Sequence, residues 1–354
     1  MPNNESLDFA GASCPIPISE YPYVLMAHGG GGKLSQHMIR KMFLSQFSSD
    51  LLQPLHDGAM FSIDGTRLAF STDSYVISPI FFPGGTIGEL AVNGTVNDLA
   101  MCGAAPLYLS AGFILEEGLP MDDLWRIVVS MQRAATRAGI SLVTGDTKVV
   151  DRGKGDKIFI NTSGIGKIAA GIDIHPRRAK PGDKIILSGR IAEHGIAIMS
   201  VREGLQFQTE LTSDCAPLNG LVQVMLSVCP DIHVLRDPTR GGVASVLNEI
   251  AGEARVGMNI HQDRIPLSEE VRGACELLGL DPLYVANEGK LLAFVPPEKA
   301  DRVLTAMRQH EFGTHAVIIG DVTNDHSGIV TMRTTIGGTR VVDMISGEQL
   351  PRIC

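Results

Sequence analysis

Seventeen residues without a charge separate Asp98 from Glu116, and Gly103, Pro106 and Gly112 interrupt them. Such a run is too short and too broken to cross a membrane; it fits a buried helix end followed by a core strand, placed over 107–115. Just upstream, Thr86-Ile87-Gly88-Glu89 has the capping-box pattern, so a helix is predicted from about 86 to 101. Asp64-Gly65-Thr66 lies between apolar runs at 59–63 and 67–72, a hairpin signal whose second strand ends in Ser71-Thr72-Asp73. That ending puts a carboxylate at a strand terminus.

Downstream, Pro120 and Asp122 open a helix that Gly139 closes. A strand over 140–143 then delivers Thr144-Gly145-Asp146-Thr147-Lys148, and another covers 157–168. Met38, Ile39, Met42 and Phe43 recur at helical spacing and predict a short amphipathic helix. The turn-rich Ala179-Lys180-Pro181-Gly182-Asp183 marks a domain boundary. Beyond it come a strand from Lys184, a helix after Gly189, a helix over 243–254 and a strand over 291–295. This order of elements makes the fold class α/β or α+β.

At 354 residues the chain can bury two cores, and 44% hydrophobic against 19% charged residues makes it globular. A net charge of −9 argues against nucleic-acid and membrane-surface partners, although lysines and Mg²⁺ could still neutralise a nucleotide. Cys14, Cys102, Cys215, Cys229, Cys275 and Cys354 show no metal-binding spacing. The first 23 residues have no basic start of a secretion signal, so a reducing cytoplasm is expected.

Three stretches carry candidate chemistry. His28-Gly29-Gly30-Gly31-Gly32-Lys33 resembles a phosphate loop but misses the P-loop template, with Ala27 for its first Gly and Leu34 for its Ser or Thr. It reads as a hinge, or as a lid whose amides and Lys33 close over phosphates. Asp73, Asn97, Asp98, Asp146 and Lys148 stand at the ends of predicted elements, where Mg²⁺ and phosphates would find oxygen ligands and a point charge. Taken singly, each is a loop residue or a helix cap. Finally, Leu350-Pro351-Arg352-Ile353-Cys354 ends the chain in a thiol on a tether, kept extended by Pro351 and expected at solvent. Arg352 would favour its thiolate and the terminal carboxylate would oppose it.

Together the glycine-rich segment, Phe70-Ser71-Thr72-Asp73, Gly94-Thr95-Val96-Asn97-Asp98, Thr144-Gly145-Asp146-Thr147-Lys148 and Asp237-Pro238-Thr239-Arg240-Gly241-Gly242 resemble the aminoimidazole-ribotide-synthetase-like ATP-binding superfamily. Asn287-Glu288-Gly289-Lys290 and the terminal Pro351-Arg352-Ile353-Cys354 narrow the resemblance to the HypE family of [NiFe]-hydrogenase maturation factors. The resemblance implies a leader at 1–27, an ATP- and Mg²⁺-binding domain at 28–170, a C-terminal α+β domain at 171–343 and a mobile tail at 344–354. It implies a homodimer in which the N-terminal domains pair into a shared barrel.

By the same resemblance Asp73, Asp98 and Asp146 hold Mg²⁺ and phosphates, Lys33 belongs to the phosphate cover and Asn97 lines the site. A HypF-type carbamoyltransferase would load Cys354. The chain would use ATP to dehydrate that carbamoyl group to a thiocyanate, with Glu288 as base and Lys148 beside it. A HypC–HypD-type scaffold would accept the cyanide. Two alternatives stand beside this: another ATP-using member of the superfamily, such as a selenophosphate synthetase, and a non-catalytic thiol carrier. Without the resemblance, Glu288 reads as a loop salt bridge to Lys290.

Overall fold

The computed structural model describes residues 21–47, 49–52, 55–204, 211–345, 350 and 352–354. Cys14, most of the expected leader, Pro351 and residues 346–349 of the expected tail lie outside the described residues.

The hairpin forms as its turn residues require. Strands β1 (Ala59–Ile63) and β2 (Thr66–Tyr75) pair antiparallel across Asp64 and Gly65, both at positive φ. That is the backbone an Asp-Gly pair provides at low cost. Two short strands, β3 (Phe81–Phe82) and β4 (Gly85–Thr86), lead into helix α3 (Ile87–Met101), which follows α1 (Lys33–Met38) and α2 (Leu44–Phe47) in the chain. A π-helical turn, Ile39–Phe43, joins α1 to α2 over the expected amphipathic helix.

Thr86 caps α3 as its sequence predicts, its hydroxyl accepting from the amides of Gly88 and Glu89. Thirteen of the fifteen residues of α3 are buried, because the helix is wrapped on all sides. On one side lies a five-stranded sheet in the order β1-β2-β7-β5-β6, which adds β5 (Ala104–Glu116), β6 (Ser141–Val150) and β7 (Ile158–Ile168). On the other lies α4 (Met121–Ala138), ended by Gly139 in the left-handed conformation. Helix α4 is the crossover that makes β5 and β6 parallel.

The helices cover one face of this sheet. Along β5, Leu109 and Ala111 are therefore buried while Tyr108 and Ile114 are about half exposed, as is Phe70 of β2. The charge-free strand is core on one face only, which its composition alone did not reveal.

The second half is a seven-stranded sheet, β14-β13-β10-β12-β8-β11-β9. It consists of β8 (Lys184–Leu187), β9 (Val234–Arg236), β10 (Gly257–His261), β11 (Leu292–Val295), β12 (Val317–Thr323), β13 (Val330–Arg333) and β14 (Thr339–Val342). Its helices are α5 (Glu193–Arg202), α6 (Asn219–Val228), α7 (Gly242–Ala254), α8 (Glu269–Leu278) and α9 (Pro297–Arg308). Helix α7 packs Val243, Leu247 and Ile250 into one core with Val234, Met258 and Phe294. Helix α6 instead joins the core of α3, through Leu221 and Val222, and that core also takes in Ile353 and Cys354. No described helix is long and apolar enough to cross a membrane.

Removing the Thr86 cap leaves two amides at the start of α3 unpaired. Thr86→Ala should cost about 1 kcal/mol, seen as a lower urea midpoint at unchanged slope.

Candidate active site

The site lies where β2, the end of α3, the turn after β9 and the loop before β11 meet. Strand β2 alternates, sending Ser71 and Tyr75 into the protein with Asp73 between them. The strand runs on through Tyr75, so Asp73 is not its terminus. Ser71 Oγ donates to Asp98 Oδ2 at 2.6 Å. Asp57, just before β1, and Asp237, just after β9, bring their carboxylates to the same place. Oxygens of Asp57, Asp98 and Asp237 all lie within 4.8 Å of one another. Arg236 answers part of this charge, with Nη1 2.9 Å from Asp57 and Nη2 2.7 Å from Glu249. Asp57 Oδ2 has no hydrogen-bond partner.

Burial and mutual repulsion raise the pKa values of Asp98 and Asp237. Burial, then repulsion by Asp237, Asp57 and Asp73, pushes the Asp98 carboxyl well above the usual carboxylate range. Burial chiefly, with repulsion by Asp57, takes Asp237 up to about 8. Glu288 is buried and also pushed well up, by burial first and then by Asp237, Asp214 and Asp73, against the pull of Arg240. Three hard carboxylate donors with a spare oxygen fit a divalent cation of the Mg²⁺ kind.

Glu288 is held by its backbone. Its amide donates to Asp214 Oδ1 at 3.0 Å, and its carbonyl accepts from Asn97 Nδ2 at 3.2 Å. Gly289 has to be glycine, because a Cβ there would stand 1.8 Å from the Asp214 carbonyl oxygen. The Glu288 carboxylate is left with Oε1 buried and unpartnered. The sequence alone suggested a Glu288–Lys290 bridge, but Lys290 pairs instead with Asp214 at 3.1 Å and Glu193 at 3.5 Å. Asn97 is fully engaged, donating also to Ala216 O and accepting from the Leu218 amide. It clamps the two halves together and positions Glu288.

The tail is not at solvent in this structure. Cys354 is buried, an oxygen of its terminal carboxylate accepting from Val76 N at 3.1 Å while the carbonyl of Arg352 accepts from Ser78 N at 3.4 Å. The thiol sits in the field of Arg240, Glu288 and Asp73, and burial pushes it well above its ordinary pKa. Arg240 Nη1 also donates to the Gly29 carbonyl at 3.1 Å. Gly31, at φ +74°, lies so close to Arg240 that a Cβ would meet its carbonyl oxygen at 2.9 Å. The glycine-rich segment thus packs on Arg240 and separates two cavities. One, of about 270 Å³, is bounded by Gly29, Gly30, Arg240 and Cys354. The other, of about 580 Å³, is bounded by His28, Gly31, Asp57, Thr72, Arg236 and Arg240 and is of nucleotide size.

Not every expected residue converges here. Lys33 lines neither cavity, and its Nζ holds Asp343 at 2.7 Å. Asp146 and Lys148 lie within β6, not beyond its end, and Lys148 Nζ binds Asp146 Oδ1 at 2.8 Å in the open. Strand register explains the separation. Asp146 shares a row with Gly112, Asn161 and Ser74, on the open face of the sheet, whereas the row of Asp73 contains the buried Thr162 and Ala111. Within one chain the sheet stands between Asp146 and Asp98. Asp57, Arg236, Asp237 and Arg240 were not expected as site residues. Asp237 and Arg240 stand in a motif that had been singled out without a role, while Asp57 lies in no motif.

The family description "AIR synthase related protein, N-terminal domain" matches residues 55–168, and its C-terminal counterpart matches residues 180–333. The chain is 54% identical over 331 residues to carbamoyl dehydratase HypE of Azotobacter vinelandii, covering 94% of this chain and 97% of that protein. It is also similar to HypE in a crystal structure of a HypE–HypF complex, with a TM-score of 0.83 at 48% identity over 87% of this chain and 99% of that one. A crystal structure of HypE in complex with ATP matches with a TM-score of 0.80 at 50% identity, over 94% of this chain and the whole of that one.

A carboxyl whose folded pKa is raised stabilises the fold below its unfolded pKa and loses that contribution as pH rises through the folded value. Asp237 should therefore make the cation-free protein less stable between about pH 4 and pH 8, with a slope of at most about 1.4 kcal/mol per pH unit. Mg²⁺ should reverse the loss at pH 8. Asp237→Asn should raise the cation-free Tm at pH 8 and remove the response to Mg²⁺; a Tm that neither falls with pH nor responds to Mg²⁺ contradicts this.

Proposed function

The chain belongs to the HypE carbamoyl dehydratases of the AIR synthase related family, and from that premise we propose that it uses ATP to dehydrate a carbamoyl group on its own Cys354 to a thiocyanate during hydrogenase maturation. One observation carries this reading: the terminal thiol is buried in the wall of a cavity it shares with Arg240 and the glycine-rich segment, in the field of a buried glutamate that has an unpartnered oxygen. A passive carrier would need neither that glutamate nor the nucleotide-sized cavity that Arg240 and Gly29 also border.

The chemistry fits the groups present. A carbonyl oxygen is a poor leaving group, so the carbamoyl oxygen first accepts the γ-phosphoryl group of ATP, releasing ADP. Phosphate then leaves as the nitrogen gives up its protons, and the carbon is left triply bonded to nitrogen on the sulfur. Asp57, Asp98 and Asp237, with Asp73 beside them, would hold Mg²⁺, which supplies charge neutralisation on the phosphates. Of the two nitrogen protons, one leaves with the departing phosphate and Glu288 accepts the other at Oε1. Because Asp237 is among the groups that push Glu288 up, a cation held by Asp237 would lower Glu288 towards a working base. Burial of Cys354 excludes water, which would otherwise hydrolyse the activated group.

Loading requires the thiol to leave this seat, so residues 344–354 act as a mobile tail that visits a HypF-type carbamoyltransferase; residues 28–170 and 171–343 are the two domains between which it docks. A HypC–HypD-type scaffold accepts the cyanide. The half-exposed Phe70, Tyr108 and Ile114 on the open sheet face support a homodimer paired through that face. Asp146 and Lys148 stand on the same face, where pairing would enclose them and let Lys148 serve a site near the interface.

Glu288→Gln keeps the size of the side chain but cannot accept a proton. The variant should still bind ATP and receive the carbamoyl group, then convert it at least about 100-fold more slowly, the scale of one general base. Mass analysis of the C-terminal peptide would show the carbamoylated form persisting with ATP. Conversion at the wild-type rate would assign proton removal to another group.

A further inference from the structure

We infer that His194, oriented by Ser213, is the positioning residue that seats the terminal thiol, through a hydrogen bond from its Nε2 to the carbonyl of Ile353. The inference deepens the dehydratase reading and rests on it for its kinetic consequence, but its geometry stands alone.

The tail pairs with the chain beyond β2 through alternate residues, Cys354 and Arg352. Antiparallel pairing turns the carbonyl between them the other way. There it meets His194 Nε2 at 2.7 Å. His194 opens α5, is wholly buried, and has Phe82 against its ring edge-on. Its tautomer follows from its neighbours. Nδ1 lies 2.8 Å from Ser213 Oγ, and Ser213 Oγ already accepts from the Cys215 amide at 3.1 Å. Ile353 O can only accept, so the proton of the neutral ring stands on Nε2, and Nδ1 is left to accept from the Ser213 hydroxyl.

Two further contacts show that this seat is built for the tail. Arg202 Nε donates to Ser78 O at 2.6 Å, and its Nη2 donates to Arg352 O, so one guanidinium ties both paired segments. Arg352 adopts φ +53°, a conformation unfavourable for a residue with a Cβ and held here by contacts around it. All these bonds go to backbone, so they are blind to what the sulfur carries. The loop that orients His194 also orients the base: Asp214, next to Ser213, holds the Glu288 amide. Thiol and base are placed by adjacent residues of one loop.

The test reads Cys354 directly in the full-length protein. Alkylation by iodoacetamide is followed by mass, with Cys354 resolved from the other cysteines peptide by peptide. His194→Ala should raise the Cys354 rate about tenfold by freeing the tail. His194→Gln, whose amide can donate to the same carbonyl, should return it close to the parental rate. With the carbamoylated tail, His194→Ala should slow ATP-dependent conversion about tenfold without changing the KM for ATP. An alkylation rate unchanged by His194→Ala overturns the inference, whatever the enzyme does. Faster alkylation with parental conversion also overturns it, since seating would then not matter to the reaction. Faster alkylation in a protein that shows no ATP-dependent conversion even as wild type leaves the seat standing and overturns the functional reading instead. If His194→Ala fails to fold, Ser213→Ala, which removes the orienting hydroxyl, should raise alkylation in the same direction, and no change in that variant counts against the inference.

Discussion

The structure turns on an excess of buried negative charge. Asp57, Asp98 and Asp237 meet within 4.8 Å, Asp73 and Glu288 lie in their field, and the cations among them are Arg236 and Arg240. Taking carboxylates out of water is costly unless they are neutralised by protons, by opposite charge or by a metal. Here protons and two arginines do part of it, and raised pKa values are the record of what is left over. Such an arrangement fits the divalent cation proposed for this site.

The fold supplies the rigidity this requires. Helix α3 is buried all round, so its end cannot shift to relieve the repulsion at Asp98. Asn97, one residue earlier, spends every hydrogen bond of its side chain on the other half of the chain. The same helix therefore presents the acid and holds the backbone of Glu288 in place. The tail completes the core with Ile353 and Cys354, so the packing that joins the tail to the core also buries the thiol.

Local chemistry was legible in the sequence and convergence was not. The Asp64-Gly65 turn, the Thr86 cap and the Gly139 stop each act over a few residues, and each stands where its residues put it. The end of β2 was placed too early, because Ser74 and Tyr75 beyond Asp73 find their partners, Asn161 and Ile160, on a strand far along the chain. Asp146 was read as following its strand, but it lies inside β6, and only the register across four strands reveals which face it takes. Asp57 could not be found at all: nothing around it marks it, and its role comes from Asp98 and Asp237, which reach it through the fold. Cys354 was expected at solvent because a chain end usually is, and the docking that buries it depends on His194, Arg202 and Val76.

The central claim is that the carbamoyl group on Cys354 is activated by phosphorylation of its own oxygen inside this cleft. The most direct measurement loads Cys354 with a carbamoyl group carrying ¹⁸O at the carbonyl, adds ATP and follows the label. The account predicts that the heavy oxygen appears in inorganic phosphate, one atom for each thiocyanate formed. Thiocyanate formed together with unlabelled phosphate would contradict it.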